Sequence, residues 1–303
     1  MVLKLLIMIY RKNINEIIED LNNYGISKSN VNFLLDEKEY INFERTIDFY
    51  NSYKKDPHII KRIKKIQNGI PEKQYLKWYE INAHEFLKRP MTLGDPVFDL
   101  YLNNKFIKIS SLFYETDEIR LRDIQSWIHP HSPQSKEINS QQWHRDQEDF
   151  KILKVFILVD DINEYNGPTE YIKDTQFGGS DQDITYNMTW LDYKLNPSLY
   201  KKIKNAYVKR FARYKFKYQP NKNNFIKATG KKGDVYFINS NGLHKGGRVK
   251  KGERLMLHGT YLRKDAPRIK YGKLKSFNSI YNFIDYKSRA FKELSIKKQN
   301  LLR

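Results

Sequence analysis

The pattern of hydrophobic and polar positions changes character near residue 120. Ahead of that point, apolar residues recur at helical spacing. Ile17, Ile18 and Leu21 share one face of a segment from Asn15 to Tyr24, and Gly25 is a suitable stop. Asp48 to Gln67 carries a second helical pattern, ended by Gly69 and Pro71. Glu72 to Leu87 carries a third, with Tyr75, Leu76, Tyr79 and Phe86 on one stripe and Pro90 closing it. After Asp95-Pro96, Val97 to Tyr114 reads as a further helix, with a strand over Phe106 to Ile109 as the alternative. The opening Met1 to Tyr10 is apolar but short, is interrupted by Lys4 and lacks a small-residue cleavage site. A buried strand or helix is therefore expected there, rather than a signal peptide or a membrane span.

Beyond Leu121 the period becomes two. Asp123 to Ile128 alternates polar and apolar as a half-buried strand would, and Lys151 to Asp160 is apolar enough for a central strand. Asn166-Gly167-Pro168 marks a turn, followed by a strand from Thr169 to Lys173. A basic, aromatic helical segment, Pro197 to Tyr214, interrupts the series. Strands resume at Phe225 to Ala228, Gly233 to Ile238 and Leu255 to Leu262. Short strands joined by turns predict an all-β barrel or sandwich rather than a parallel α/β sheet. The chain of 303 residues reads as one domain: a mainly helical wrap over 1–119, a β core over 120–265, and a basic helix or tail over 266–303.

Composition alters this picture in two respects. There is no cysteine, which removes disulfide frameworks, iron–sulfur clusters, thiolate zinc sites and cysteine nucleophiles together. Any metal must then be held by His, Asp, Glu or Tyr, which suits iron, manganese or zinc. The formal charge is +20. That invites a nucleic-acid partner, but no recognition motif accompanies it, and a lysine-rich compositional bias is the preferred account. The basic runs Lys61-Arg62-Ile63-Lys64-Lys65 and Lys201-Lys202-Ile203-Lys204 carry apolar residues at helical spacing, as amphipathic surface helices would. With no span and no leader in view, a cytoplasmic protein is expected.

The candidate chemistry lies in the β region. Gln142-Trp143-His144-Arg145-Asp146 sets an imidazole and a carboxylate two residues apart, ahead of the apolar run from Ile152 to Val159. On a strand such residues point the same way and can serve one metal. His244 follows a later strand, and Arg254 opens the next. Two histidines and one carboxylate form the facial triad of non-haem Fe(II) oxygenases, with coordination positions left open for a 2-oxo acid and dioxygen. Arg254 offers a fork suited to the distal carboxylate of such a co-substrate.

The residues around these four resemble the phytanoyl-CoA dioxygenase family of Fe(II)/2-oxoglutarate oxygenases. The likeness spans roughly Trp127 to Arg263 and rests on Gln142 to Asp146, Asp160 to Pro168, Gly233-Asp234-Val235-Tyr236-Phe237, and His244-Lys245-Gly246-Gly247 with Arg254. It implies a mainly β fold with flanking helices around a double-stranded β-helix, a cupin-like jelly roll with the metal in its mouth. It implies His144, Asp146 and His244 as iron ligands and Arg254 as the 2-oxoglutarate anchor. The implied reaction consumes O2, releases succinate and CO2, and hydroxylates an unactivated C–H bond of a small or carrier-linked organic substrate. Asp146 favours hydroxylation over halogenation, since related halogenases carry a small residue there. Two places depart from the family pattern. Lys173 to Gly179 stands where a Gly-Ser-His is common, and Met256 stands where a small hydroxyl residue often follows the arginine.

Neighbouring residues carry further expectations. Gln142 shares strand parity with His144 and is a candidate contact to co-substrate or substrate, whereas Trp143 should pack outward. His258 shares parity with Arg254 and either faces the pocket or is a satisfied core histidine. His129 and His131, beside Pro130 and Pro133, read as loop residues outside the ligand set. Asn166-Gly167 reads as a turn without chemistry. Arg145, Lys245 and Arg248 would make the mouth positive and favour an anionic, phosphorylated or CoA-linked substrate. Two other readings stand beside this one. One is a non-catalytic metal-binding jelly roll that engages nucleic acid or a phosphorylated partner; the other is an oxygenase acting on a nucleobase or a protein side chain.

Overall fold

The structure, a computed structural model, describes residues 12–72, 77–133, 139–146, 148–180, 222–266, 279 and 281–303. The expectations for Met1 to Tyr10, for Pro197 to Tyr214 with its basic run, and for Tyr75 and Leu76 lie outside them.

The N-terminal part begins with α1 (Ile14–Tyr24), which ends at Gly25 in a left-handed conformation, followed directly by β1 (Ile26–Asn30) and a single turn, α2 (Val31–Leu34). Next come α3 (Glu37–Tyr53) and α4 (Pro57–Gln67). The single helix expected from Asp48 to Gln67 is therefore two. Pro57 cannot continue a helix but suits the first position of a new one, and Asp56 caps the backbone N–H groups of His58 and Ile59. The helix expected over Glu72 to Leu87 shrinks to a turn, β2 (Ile81–Asn82) and α5 (Ala83–Leu87), because Ile81 pairs with Ile128 instead. α6 (Pro96–Leu100) and α7 (Asn104–Tyr114) are separated at Asn103, whose side chain caps Phe106 N at 2.8 Å.

The β core follows as β3 (Ile119–Pro130), β4 (Leu153–Ile157), β5 (Thr169–Ile172), β6 (Phe225–Lys227), β7 (Asp234–Asn239), β8 (His244–Gly246) and β9 (Glu253–Arg263). Two short helices, α8 (Arg289–Lys292) and α9 (Ile296–Leu302), close the chain. The strands form a six-stranded sheet, ordered β1-β7-β4-β9-β3-β2, and a three-stranded sheet, β6-β5-β8; every pairing between these strands is antiparallel. This is the jelly-roll arrangement with flanking helices. Both edge strands of the large sheet come from the N-terminal wrap, and so does part of its stability.

Strand parity divides the large sheet into two faces. Ile128, Val155, Phe237 and Leu257 point to one side and join a continuous core with Ile17, Phe98 and Phe106 of the helices. Trp127, Phe156, Tyr236 and Met256 point to the other, against Tyr171 of the small sheet and Ala228, which follows β6. Tyrosine hydroxyls tie helices to strands. Tyr114 Oη donates to Tyr261 O at 2.7 Å and accepts from Leu153 N at 2.9 Å, and Tyr50 Oη bonds Ser126 Oγ.

Candidate active site

The inner face of the large sheet carries most of the candidate residues. On β3, Gln125, Trp127 and His129 face inward, opposite His258, Met256 and Arg254 of β9 respectively. Lys154 and Phe156 of β4 continue the same surface. These residues line a cavity of about 250 Å³ between the sheets, which also takes in His144, Asp146 and His244. Pairing between β3 and β9 slips between Leu121 and Asp123, and Arg122, at the slip, lines the cavity. A bulge of this kind re-aims a side chain at the end of a regular ladder.

His144 and His244 face each other across a two-residue antiparallel bridge at the edge of the small sheet. Their backbones exchange hydrogen bonds of 2.9 and 3.0 Å, and their rings sit 4.3 Å apart. Asp146 N is fixed to Ser240 O at 2.9 Å, which places its carboxylate beside both rings. His144 Nε2 lies 4.0 Å from Asp146 Oδ1, and His244 Nε2 lies 3.7 Å from Asp146 Oδ2. One donor atom from each residue falls within 4.8 Å of the others.

The tautomers are determined by hydrogen bonding. His144 Nδ1 bonds Gln142 O at 2.8 Å, and His244 Nδ1 bonds Gly242 O at 3.0 Å. A carbonyl only accepts, so each Nδ1 carries the proton and each Nε2 presents a lone pair to the cluster. Desolvation lowers both imidazoles, and with the neighbouring His144 it takes His244 down to about 3. Burial works against ionisation of Asp146, but Lys154 and the two imidazoles hold it well below the usual carboxylate range. Lys154 Nζ sits 2.6 Å from Asp146 Oδ2 and keeps that carboxylate aimed into the cavity. Two neutral imidazoles and one carboxylate are the donor set that Fe(II) takes in a facial site, so these residues fit the ion.

Arg254 is 4 % exposed and lies at the other end of the inner face. Its Nη1 donates to Gly167 O, its Nη2 donates to His129 Nδ1 at 3.0 Å, and its Nε, also buried, has no hydrogen-bond partner among the described residues. Burial pulls the guanidinium down to about 10, still charged at neutral pH. A buried, charged fork with an unspent donor has the chemistry to accept a carboxylate.

Comparison with known proteins bears on this geometry. The family model described as Phytanoyl-CoA dioxygenase (PhyH) matches residues 70–254. The chain belongs to the phytanoyl-CoA dioxygenase family. Solved structures similar to it include EctD from S. alaskensis with 2-oxoglutarate and 5-hydroxyectoine, at 14 % identity over 84 % of this chain and 77 % of that one, TM-score 0.49. AviO1 from Streptomyces viridochromogenes Tue57 has 14 % identity, over 84 % of this chain and 97 % of that one, TM-score 0.47. The nogalamycin-biosynthesis epimerase SnoN has 9 % identity, over 82 % of each chain, TM-score 0.47. No curated protein matches this chain. As a member of the phytanoyl-CoA dioxygenase family, the protein is an Fe(II)- and 2-oxoglutarate-dependent enzyme that uses O2.

The structure brings four of the five proposed site residues of this dioxygenase to one cavity: His144, Asp146, His244 and Arg254. Gln142 is the correction. Residues 139–141 form a 3-10 turn, so strand parity does not extend back from His144. Gln142 is exposed and gives its carbonyl to His144, while the buried Gln141 lines the cavity. Arg145 is a second correction. Its guanidinium is buried and holds the backbone carbonyls of Thr175 and Asn241, so it adds no charge to the mouth. Lys245 lies over the Trp143 ring and 3.8 Å from Glu170. His129 is the third: it is a buried strand residue opposite Arg254, not a loop residue. His258 lines the cavity with a buried Nδ1 that has no hydrogen bond among the described residues. Sequence reasoning overlooked Arg122, Lys154, the Gly167 carbonyl and Glu80, whose carboxylate lies 3.1 Å from His129 Nε2. Strand parity pointed to Lys154, whereas a bulge, a turn carbonyl and a long-range partner leave no local signal. Among the described residues, no helix is long and apolar enough to cross a membrane.

Proposed function

We propose that the enzyme hydroxylates an unactivated C–H bond of a small or carrier-linked organic molecule. In this reading His144, Asp146 and His244 hold Fe(II), and Arg254 binds the distal carboxylate of 2-oxoglutarate. Substrate, O2 and 2-oxoglutarate give hydroxylated substrate, succinate and CO2. The bound iron and 2-oxoglutarate together supply the activation of dioxygen. The protein's own residues do the rest. Gln142 O and Gly242 O keep the two Nε2 lone pairs turned inward, Lys154 keeps Asp146 ionised, and the two sheets bury His244 and Arg254. The observation that carries the reading is this trio of inward donors, with the buried arginine farther along the same cavity.

The substrate side supports a polar molecule. Besides Trp127, Phe156 and Met256, its lining is charged or polar: Arg122, Gln125, Glu148, Lys154 and His258. Of the lining cations, Lys154 is paired with Asp146, Arg122 with Glu148 at 3.1 Å and Lys77 with Glu80 at 3.5 Å, which leaves Arg254 to meet an anionic group. Adding Fe(II) and 2-oxoglutarate without oxygen tests the site. The expected result is a weak visible charge-transfer band, absent from His144→Ala. A band that survives that substitution, or no band in the wild-type protein, refutes the assignment and would favour a non-catalytic module.

A further inference from the structure

Arg254 ends a line of buried polar groups that starts in the N-terminal helices. Arg62, only 2 % exposed, is clamped by Glu72 and by Glu85 at 3.2 Å, and its Nη2 reaches Glu80 O at 3.3 Å. The Glu80 segment is thereby attached to α4. The Glu80 carboxylate lies 3.1 Å from His129 Nε2, and His129 Nδ1 lies 3.0 Å from Arg254 Nη2. Arginine only donates, so His129 Nδ1 must be the acceptor. Nε2 then carries the proton and donates a hydrogen bond to the Glu80 carboxylate. A single neutral tautomer satisfies both contacts. Burial disfavours charge on both partners. Even so, the bond from His129 keeps Glu80 below its ordinary value, while burial and Arg254 lower His129 to about 4.

We propose that His129 is a positioning residue for 2-oxoglutarate: seated on Glu80, it fixes the Arg254 guanidinium plane and keeps the two opposite charges apart. This rests on Arg254 being the co-substrate anchor. Two of the five guanidinium N–H groups are taken, by Gly167 O and His129 Nδ1, and the fork is held in one orientation before the ligand arrives. The spacer also has an electrostatic role. Without an intervening ring, Glu80 would be a competing carboxylate for Arg254. A neutral imidazole passes on a hydrogen bond without cancelling the charge that the co-substrate needs.

The test uses the full chain with Fe(II) under anaerobic conditions, titrated with 2-oxoglutarate, with iron affinity measured separately. His129→Ala should raise the 2-oxoglutarate dissociation constant by about ten- to a hundredfold, the usual range for a lost bond to a charged group. Iron affinity should hold, and 2-oxoglutarate turnover at saturation, measured in a separate aerobic assay, should stay within about threefold, since uniform binding alone is lost. His129→Gln can accept from Arg254 and donate to Glu80, and should restore near-wild-type affinity. His129→Leu keeps the bulk but has neither donor nor acceptor, and should behave like His129→Ala; it carries the test if His129→Ala does not fold. Unchanged 2-oxoglutarate affinity in the variants that lack a polar group at 129, or parallel loss of iron and 2-oxoglutarate, overturns the positioning role while Arg254 remains the anchor. A wild-type protein that binds iron but no 2-oxoglutarate overturns the anchor assignment itself.

Discussion

At the scale of single residues, the site depends on keeping histidines neutral where water cannot reach them. Burial is the main cause that takes His129 down to about 4 and His244 and His258 to about 3. In the unfolded chain each would titrate near 6.5. Between those values the unfolded state holds more protons than the folded one, so stability is full above about pH 6.5 and falls as the pH drops toward the folded values. Each group contributes a slope of up to about 1.4 kcal/mol per pH unit. The metal-free protein should therefore melt at a clearly lower temperature at pH 5 than at pH 7, and His258→Phe should flatten that dependence. A melting temperature that does not change between the two pH values would contradict the burial argument. The iron-ligand candidates were legible in the sequence because their chemistry is carried by residue type and by a strand-like spacing. Gln142 was misread because that spacing holds only where a strand exists. Arg145 was misread because charge says nothing about which way a side chain turns.

Elements explain the next level. The inward rows of β3, β4 and β9 follow from a period of two, so the shared face of His258 and Arg254 could be read directly, while the side it points to stayed open for His258. What stayed hidden are the irregularities: the slip at Arg122, the extension of β3 to Pro130, and the polar strand Ile26–Asn30, whose Ser27, Lys28 and Ser29 look like a loop. A strand at a sheet edge needs only one apolar face, and its backbone pairing is invisible in residue type. The Asn166-Gly167-Pro168 turn was read correctly as a turn, but its link to the site could not be seen. Gly167 has φ 69°, and a Cβ there would lie 2.6 Å from Arg248 C and Gly247 O. Gly167→Ala would therefore push apart two backbone segments and shift the carbonyl that holds Arg254. The expected result is a loss of about 1–3 kcal/mol of stability, together with weaker 2-oxoglutarate binding at unchanged iron affinity. Chemical denaturation and the anaerobic titration would read the two effects separately.

For the whole molecule, the N-terminal helices and the β core share one hydrophobic core that runs from Ile17 to Leu302. We expect a fragment of residues 120–303 to lack a cooperative unfolding transition, because it loses both edge strands and the helical cover of the large sheet. The full chain should show one transition, and two separable transitions would contradict that expectation. The sheet order adds a consequence for how the protein is made. β3 and β4 are not neighbours until β9 inserts between them, and β1 waits for β7. As the chain leaves the ribosome, His144 and Asp146 emerge long before His244, and β9 is synthesised after every other strand of the large sheet. An iron ion would thus meet only two of the three candidate ligands for much of translation, and firm metal capture should coincide with closure of the large sheet.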